Sequence, residues 1–175
     1  GASANSSATD AAPEQTRAST PPASTGLSAE ERALTAAIDA TNDAALSLLE
    51  RIVNINSGTM NFKGVREVGR VLTPEFEALG FKVEWVDGTP FGRAGHLVAE
   101  HPGAGPRILL IGHLDTVFEP DSPFQKFERI SPIAAKGPGI TDMKGGNVVM
   151  LQALRALHAR GLLKAMNIGV VLTGD

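Results

Sequence analysis

The chain has 175 residues, of which 42% are hydrophobic and 20% are charged, and its formal net charge is −3. This length favours one domain with a core of its own, and so small a net charge excludes bulk attraction to nucleic acid or to an anionic membrane. Cysteine is absent, which excludes disulfides and thiolate metal sites, so a metal would have to rest on His, Asp and Glu. No apolar run approaches the roughly 20 residues that span a bilayer.

The first 27 residues differ in composition from the rest of the chain. They are rich in Ala, Ser, Thr and Pro, and Leu27 is their only large aliphatic residue. Such a segment buries too little apolar surface to offset the entropy lost on ordering, so we predict a disordered tail over 1–27 and one domain over 28–175. The chain begins with Gly1, and its tail resembles the segment directly after a removed signal peptide in exported bacterial proteins. A periplasmic or secreted location is therefore the expectation, with the cytoplasm as the alternative.

Helical patterns come first in the ordered part of the sequence. Ser28 and Glu31 have the spacing of a capping box, and the apolar periodicity behind them predicts a helix from about 29 to 54. After a loop, the apolar pattern predicts a second helix from about 62 to 79.

Four stretches then have the composition of strands, namely 81–86, 96–100, 108–112 and 168–173. The third is continuously apolar and short, which predicts a strand buried on both faces in the middle of a sheet. A helix from Asp142 to about 160 separates the last two strands. This order predicts an α/β three-layer sandwich (α/β/α) with a mixed sheet that is incomplete in this chain.

Polar residues cluster where the third strand ends. His113 and Asp115 follow it directly, at the place where α/β sheets carry their chemistry. Neutral imidazole is the commonest metal ligand, and its second nitrogen needs an orienting acceptor. Asp142 adds a carboxylate among four glycines, which allow the backbone to approach a ligand closely. A lone Asp there would be interpreted as a helix N-cap, but its glycine-rich approach and the presence of His113 favour a metal ligand.

These two clusters resemble a known family. Residues 108–115 and 137–146 are similar to the zinc-dependent exopeptidases that include glutamate carboxypeptidase, aminoacylase and succinyl-diaminopimelate desuccinylase. Residues 56–59, Asn-Ser-Gly-Thr, resemble the glutamate carboxypeptidase branch, although turn chemistry alone also accounts for Ser-Gly-Thr. The resemblance covers about residues 30–175.

The resemblance implies a role for each polar residue of the cluster. Two Zn²⁺ ions are expected, with His113 binding one and Asp142 bridging both. Asp115 is the predicted catalytic residue, and it would clamp the His113 ring on the side away from the metal. The peptide bond between Asp142 and Met143 is expected to be cis.

The family continues with a strand that ends in Glu-Glu, of which the first is the general base and the second a zinc ligand. Residues 168–175 resemble that strand, and the sequence stops before the pair; the later ligands and a substrate-gripping lid domain are missing too. The resemblance implies a carboxypeptidase-like zinc hydrolase that cleaves the amide bond to a C-terminal amino acid such as glutamate. Its substrate would be a peptide or an N-acyl amino acid, and this chain alone is expected to show little or no turnover. A homodimer stays open for the full-length protein.

A second hypothesis is a non-catalytic, metal-binding half that pairs with a separate C-terminal piece, since the sheet would be left with an unfilled edge. A third, phosphate binding by the glycine loop, is disfavoured because the Asp142 carboxylate would repel a phosphate and no P-loop spacing occurs. We expect no functional role for His96 or His101, and Lys144 is expected to face outward or towards an acid.

Overall fold

The structure, a computed structural model, describes residues 26–175, so nearly all of the predicted tail lies outside the described residues. The helices and strands are α1 Ala29–Ala40, α2 Asn42–Val53, α3 Phe62–Glu77, β1 Lys82–Asp87, β2 Gly95–His101, β3 Arg107–His113, β4 Glu128–Ser131, β5 Ala134–Lys136, α4 Gly145–Ala159 and β6 Asn167–Thr173. In this part of the chain no helix combines the length and the apolar character needed to cross a membrane.

Four strands form one mixed sheet in the order β1-β2-β6-β3. Strands β1 and β6 both run antiparallel to β2, whereas β3 runs parallel to β6 and places His113 beside Thr173. Strands β4 and β5 form a separate hairpin. The predicted α/β class with a mixed sheet is confirmed.

The prediction that β3 is buried in the middle of the sheet is wrong for the described residues. β3 pairs only with β6 and lies at the edge, where Leu109 is 53% exposed and Ile111 is 65% exposed. The strand paired on both sides is β6. A continuous apolar run indicates a strand that is meant to be covered, but it carries no information about strand order.

Helices α3 and α4 pack on one face of this sheet. A Cβ added to Gly69 of α3 would lie 2.6 Å from the Trp85 ring, and one added to Gly112 would lie 2.6 Å from the Asn147 side chain of α4. One hydrophobic core joins these helices and α2 to the buried side chains of that face, which include Leu97 and Leu172. Of the predicted three layers, residues 26–175 form two.

The helix predicted over 29–54 is two helices. The break falls at Thr41, whose hydroxyl donates to the carbonyls of Ala37 and Ile38, and helix α2 begins at the next residue. A hydroxyl that competes for helix carbonyls in this way favours helix ends. The predicted capping box is present, with Ser28 and Glu31 exchanging both hydrogen bonds.

Candidate metal centre

The end of β3 brings together the residues that the sequence singled out. His113 is the last residue of the strand, and its ring is about three-quarters buried. Its Nε2 atom lies 2.9 Å from Oδ1 of Asp142, a residue far along the chain. Its Nδ1 atom lies 3.0 Å from the backbone oxygen and 3.2 Å from the carboxylate oxygen Oδ1 of Asp115. The three residues therefore form one cluster, although their chemical roles stay predictions.

The two ring nitrogens of His113 face different partners. Nδ1 faces the buried side, where the backbone oxygen of Asp115 has the geometry to accept a hydrogen bond from it. The carboxylate oxygen Oδ1 of Asp115 is also close to Nδ1, but it does not have hydrogen-bond geometry. Nε2 faces Asp142 and the open side. Burial acts to lower the pKa of His113, but the hydrogen bond to Asp142 and the contacts with Asp115 outweigh it, so the pKa is raised.

Asp142 is not a helix N-cap. It lies in a tight turn between Gly139 and α4, with φ −137° and ψ 96°, and its peptide bond to Met143 is cis, as the resemblance implies. Helix α4 begins at Gly145, and no side chain caps it. The Asp142 side chain is 83% exposed and turns to His113 rather than back onto the helix amides.

The expectation that Lys144 faces outward or towards an acid is wrong. Lys144 is 1% exposed, and its Nζ donates hydrogen bonds of 2.8 Å to the backbone oxygens of Ile52 and Ile55. Ile52 belongs to the last turn of α2, and Ile55 follows the helix by two residues. Burial lowers the pKa of Lys144 to about 8. The buried ammonium thus ties the Asp142 turn to α2, a long-range contact that the charge pattern does not indicate.

Asn147 fixes the other side of the turn. Its amide Nδ2 donates a 2.7 Å hydrogen bond to the backbone oxygen of His113, and the side chain is 1% exposed. This contact holds the start of α4 against the end of β3. The distance between Asp142 and His113 therefore depends on buried residues, not on the exposed pair alone.

The cluster opens into a cavity of about 450 Å³. Besides His113 and Asp142, its lining includes Phe118 and Phe124, whose rings meet edge to face at 5.1 Å. Lys136 also contributes to the lining. A small polar cluster beside an apolar wall is the usual composition of a small-molecule site.

The donor set fits part of a zinc site. One imidazole nitrogen and one carboxylate face a common open side, and both are ligand types that Zn²⁺ accepts. The contact of Asp115 with the second ring nitrogen of His113 is typical of metal-binding histidines. No group of three or more His, Cys, Asp or Glu side chains that could hold a metal ion occurs within residues 26–175.

Residues 56–59, for which turn chemistry was an open explanation, contact the cluster. The Thr59 hydroxyl donates a 2.5 Å hydrogen bond to Oδ2 of Asp115, and the buried Ser57 hydroxyl donates to the backbone oxygen of Leu114 at 2.9 Å. Sequence reasoning assigned neither contact. The only signal was the resemblance of the four residues to the glutamate carboxypeptidase branch.

The residues expected to have no functional role lie outside the cluster. Nδ1 of His96 accepts a hydrogen bond from the Gly174 amide, and Nδ1 of His101 lies 2.9 Å from the Met166 carbonyl.

Comparison with known proteins finds similarity to one peptidase family. A sequence model of the family described as Peptidase family M20/M25/M40 matches residues 109–175, which include His113, Asp115 and Asp142. The chain is also 33% identical to carboxypeptidase G2 from Pseudomonas sp. (strain RS-16) over 133 residues, which are 75% of this chain and 32% of that protein. The chain thus spans about a third of the length of this relative.

Solved structures share the fold. Human carnosine dipeptidase 1 aligns with a TM-score of 0.67 at 22% identity, over 85% of this chain and 35% of that one. The di-peptidase Dug1p from Saccharomyces cerevisiae aligns with a TM-score of 0.66 at 19% identity, over 82% of this chain and 34% of that one. The resemblance noted in the sequence is confirmed, as is the α/β fold.

Proposed function

We propose that this chain, a relative of the M20/M25/M40 peptidases, supplies the first part of a zinc-dependent, carboxypeptidase-like active site. The observation that carries the proposal is the approach of His113 Nε2 to Asp142 Oδ1 at 2.9 Å, beside a cavity and within the segment that matches the family. The reaction would be hydrolysis of the amide bond to a C-terminal amino acid such as glutamate. The substrate would be a peptide or an N-acyl amino acid.

His113 and Asp142 would hold the metal, with Asp142 shared between two ions. When bound, zinc supplies Lewis acidity towards the scissile carbonyl and makes water a better nucleophile near neutral pH. Asp115 holds the His113 ring through Nδ1, which leaves Nε2 for the metal. Phe118 and Phe124 would exclude water from one side of a substrate in the cavity.

The remaining ligands and the general base would come from outside residues 26–175, because that part of the chain holds no third ligand beside His113 and Asp142. We therefore expect the 175-residue polypeptide by itself to have little or no peptidase activity. We also propose a periplasmic or secreted location, on the composition of residues 1–27 alone.

The test is hydrolysis of an N-acyl glutamate by the product of the complete gene, supplied with zinc. We expect activity that is lost on chelation, restored by zinc and abolished by His113→Ala. The 175-residue polypeptide should be inactive under the same conditions. A complete product that remains fully active after chelation, or in the His113→Ala variant, would contradict the proposal.

The alternative is a metal-binding half that pairs with a separate C-terminal piece. The exposed face of the edge strand supports it, because Leu109 and Ile111 present an apolar surface of the kind that a partner covers. The extent of the reading frame distinguishes a single enzyme chain from two paired halves. Continuation into a Glu-Glu pair favours one enzyme chain, and a stop after Asp175 with a second reading frame for the remainder favours the paired halves.

A further inference from the structure

The segment Asn56–Thr59 is paired with the chain that follows β3. Gly58 and Thr116 form a parallel bridge, in which the Thr116 amide donates to the Ser57 oxygen at 2.8 Å and the Thr59 amide donates to the Thr116 oxygen at 3.1 Å. The buried Ser57 side chain adds a bond to the Leu114 oxygen. The backbone of Thr59 is therefore fixed relative to Asp115.

Close packing leaves this segment little freedom. A Cβ added to Gly58 would lie 2.7 Å from the backbone Cα of Glu119, and the Glu119 carboxylate accepts a 3.0 Å hydrogen bond from the Met60 amide. The residues on both sides of Thr59 are thus held by the same loop. Thr59 cannot move away from Asp115 without breaking these contacts.

The Thr59 hydroxyl contacts the Asp115 carboxylate, which needs a hydrogen-bond donor. Asp115 is 5% exposed, and a buried carboxylate is costly unless it is hydrogen-bonded. Thr59 donates to Oδ2 at 2.5 Å, and the other oxygen, Oδ1, then lies 3.2 Å from Nδ1 of His113. Holding Oδ2 sets the rotation of the carboxylate and so the direction in which Oδ1 points.

We propose that Thr59 is a positioning residue for the candidate metal centre, acting through Asp115 on the orientation of the His113 ring. The inference rests on the proposed zinc function, and it adds a fourth member to the cluster, in the order Thr59, Asp115, His113, Asp142. Loss of the hydroxyl frees the carboxylate to rotate. The ring is then less well oriented towards a metal at Nε2.

The experiment compares Thr59→Val, which removes the hydroxyl at nearly constant shape, with Thr59→Ser, which keeps it. Thr73→Val is the matched control, because the Thr73 hydroxyl donates to the Gly69 oxygen, away from the site. Zinc affinity is measured by calorimetry on the 175-residue chain. Loss of partners behind a metal-binding His costs about 10–100-fold in affinity, and we expect the lower end for Thr59→Val and no change for the other two.

A second measurement needs no metal. The Nδ1 proton of His113 is followed by nitrogen-edited NMR of the metal-free chain, where wild type and Thr59→Ser should show a slowly exchanging signal. In Thr59→Val the signal should shift and exchange faster. Circular dichroism identifies unfolding, and Thr59→Ala replaces the Val variant if that one does not fold.

A double-mutant comparison tests whether the effect of Thr59 on zinc affinity depends on Asp115. If Thr59 acts through Asp115, Thr59→Val should have no further effect on zinc affinity in an Asp115→Asn background. Wild-type zinc affinity and an unchanged Nδ1 proton in folded Thr59→Val would overturn the inference while leaving the metal centre intact. Failure of the wild-type chain to bind zinc would instead count against the proposed function, and the proton signal would still decide the role of Thr59.

Discussion

Nε2 of His113 and Oδ1 of Asp142 lie 2.9 Å apart although 29 positions separate the two residues in the sequence. Only His113 belongs to the sheet; Asp142 reaches it from a turn held by Lys144 on one side and Asn147 on the other. The pair is thus a product of tertiary structure, and substitutions can test both its members and its supports.

Asp142→Asn should weaken zinc binding without unfolding the chain. The Asp142 side chain is exposed and contacts His113, so little stability depends on it. The loss in affinity should exceed the roughly tenfold loss typical of a residue behind a ligand. Calorimetry measures it, with Asp121→Asn as the control because Asp121 is an exposed carboxylate outside the cluster. Equal zinc affinity in Asp142→Asn and Asp121→Asn would show that Asp142 is not a zinc ligand.

Lys144→Met should destabilise the fold by about 1–3 kcal/mol, because it removes the hydrogen bonds that the buried Nζ donates to the Ile52 and Ile55 oxygens. Urea unfolding measures the loss, and Lys126→Met at an exposed position is the control. A variant as stable as wild type would mean that the desolvation of the ammonium costs as much as its two hydrogen bonds contribute.

Gly112→Ala should separate the end of β3 from α4. A Cβ at this position would lie 2.6 Å from Oδ1 of Asn147 and 3.0 Å from a Leu172 methyl group, so the helix start must shift. Overpacking of this kind costs about 1–3 kcal/mol, and zinc affinity should fall with it. Gly105→Ala is the control, because its nearest neighbour would lie at 3.6 Å. Wild-type stability in Gly112→Ala would show that this junction is loosely packed.

The capping box of α1 should make a pH-dependent contribution to stability. The hydrogen bond from the Ser28 amide lowers the pKa of Glu31 below its ordinary value of 4.5. The folded state therefore favours the ionised carboxylate, so the contribution is complete above about pH 4.5 and is lost as the pH falls through the lowered pKa. Thermal unfolding should show Glu31→Gln less stable than wild type at pH 7, with the difference vanishing at acid pH. A difference that is the same at both pH values would contradict this account.

Local sequence patterns and the family resemblance predict three residues of the site. His113, Asp115 and Asp142 stand out by their place after a strand and among glycines, and the structure brings them together. The prediction for Lys144 is wrong because its partners are carbonyls of a distant helix, and a backbone acceptor leaves no mark in the sequence. The contact of Thr59 with Asp115 joins distant parts of the chain, so turn chemistry does not indicate it either.

In the fold, too, the sequence predicts features that depend on residues close in the chain, but not features that depend on distant residues. The capping box of α1 and the strand character of β6 follow from residues close in sequence. The position of β3 at the edge depends on which strand pairs with which, and an apolar run does not encode that. The break between α1 and α2 at Thr41 coincides with one hydroxyl contact, which the otherwise continuous apolar pattern does not indicate.

We expect His113 to bind zinc together with Asp142. Titration calorimetry of the 175-residue chain with Zn²⁺ measures this binding, with His158→Ala as the control because His158 is exposed at the end of α4. We expect wild type and His158→Ala to bind zinc with an affinity below that of a complete site, because the proposed site has two ligands within residues 26–175. His113→Ala should abolish the binding, and unchanged zinc binding in that variant would contradict the account.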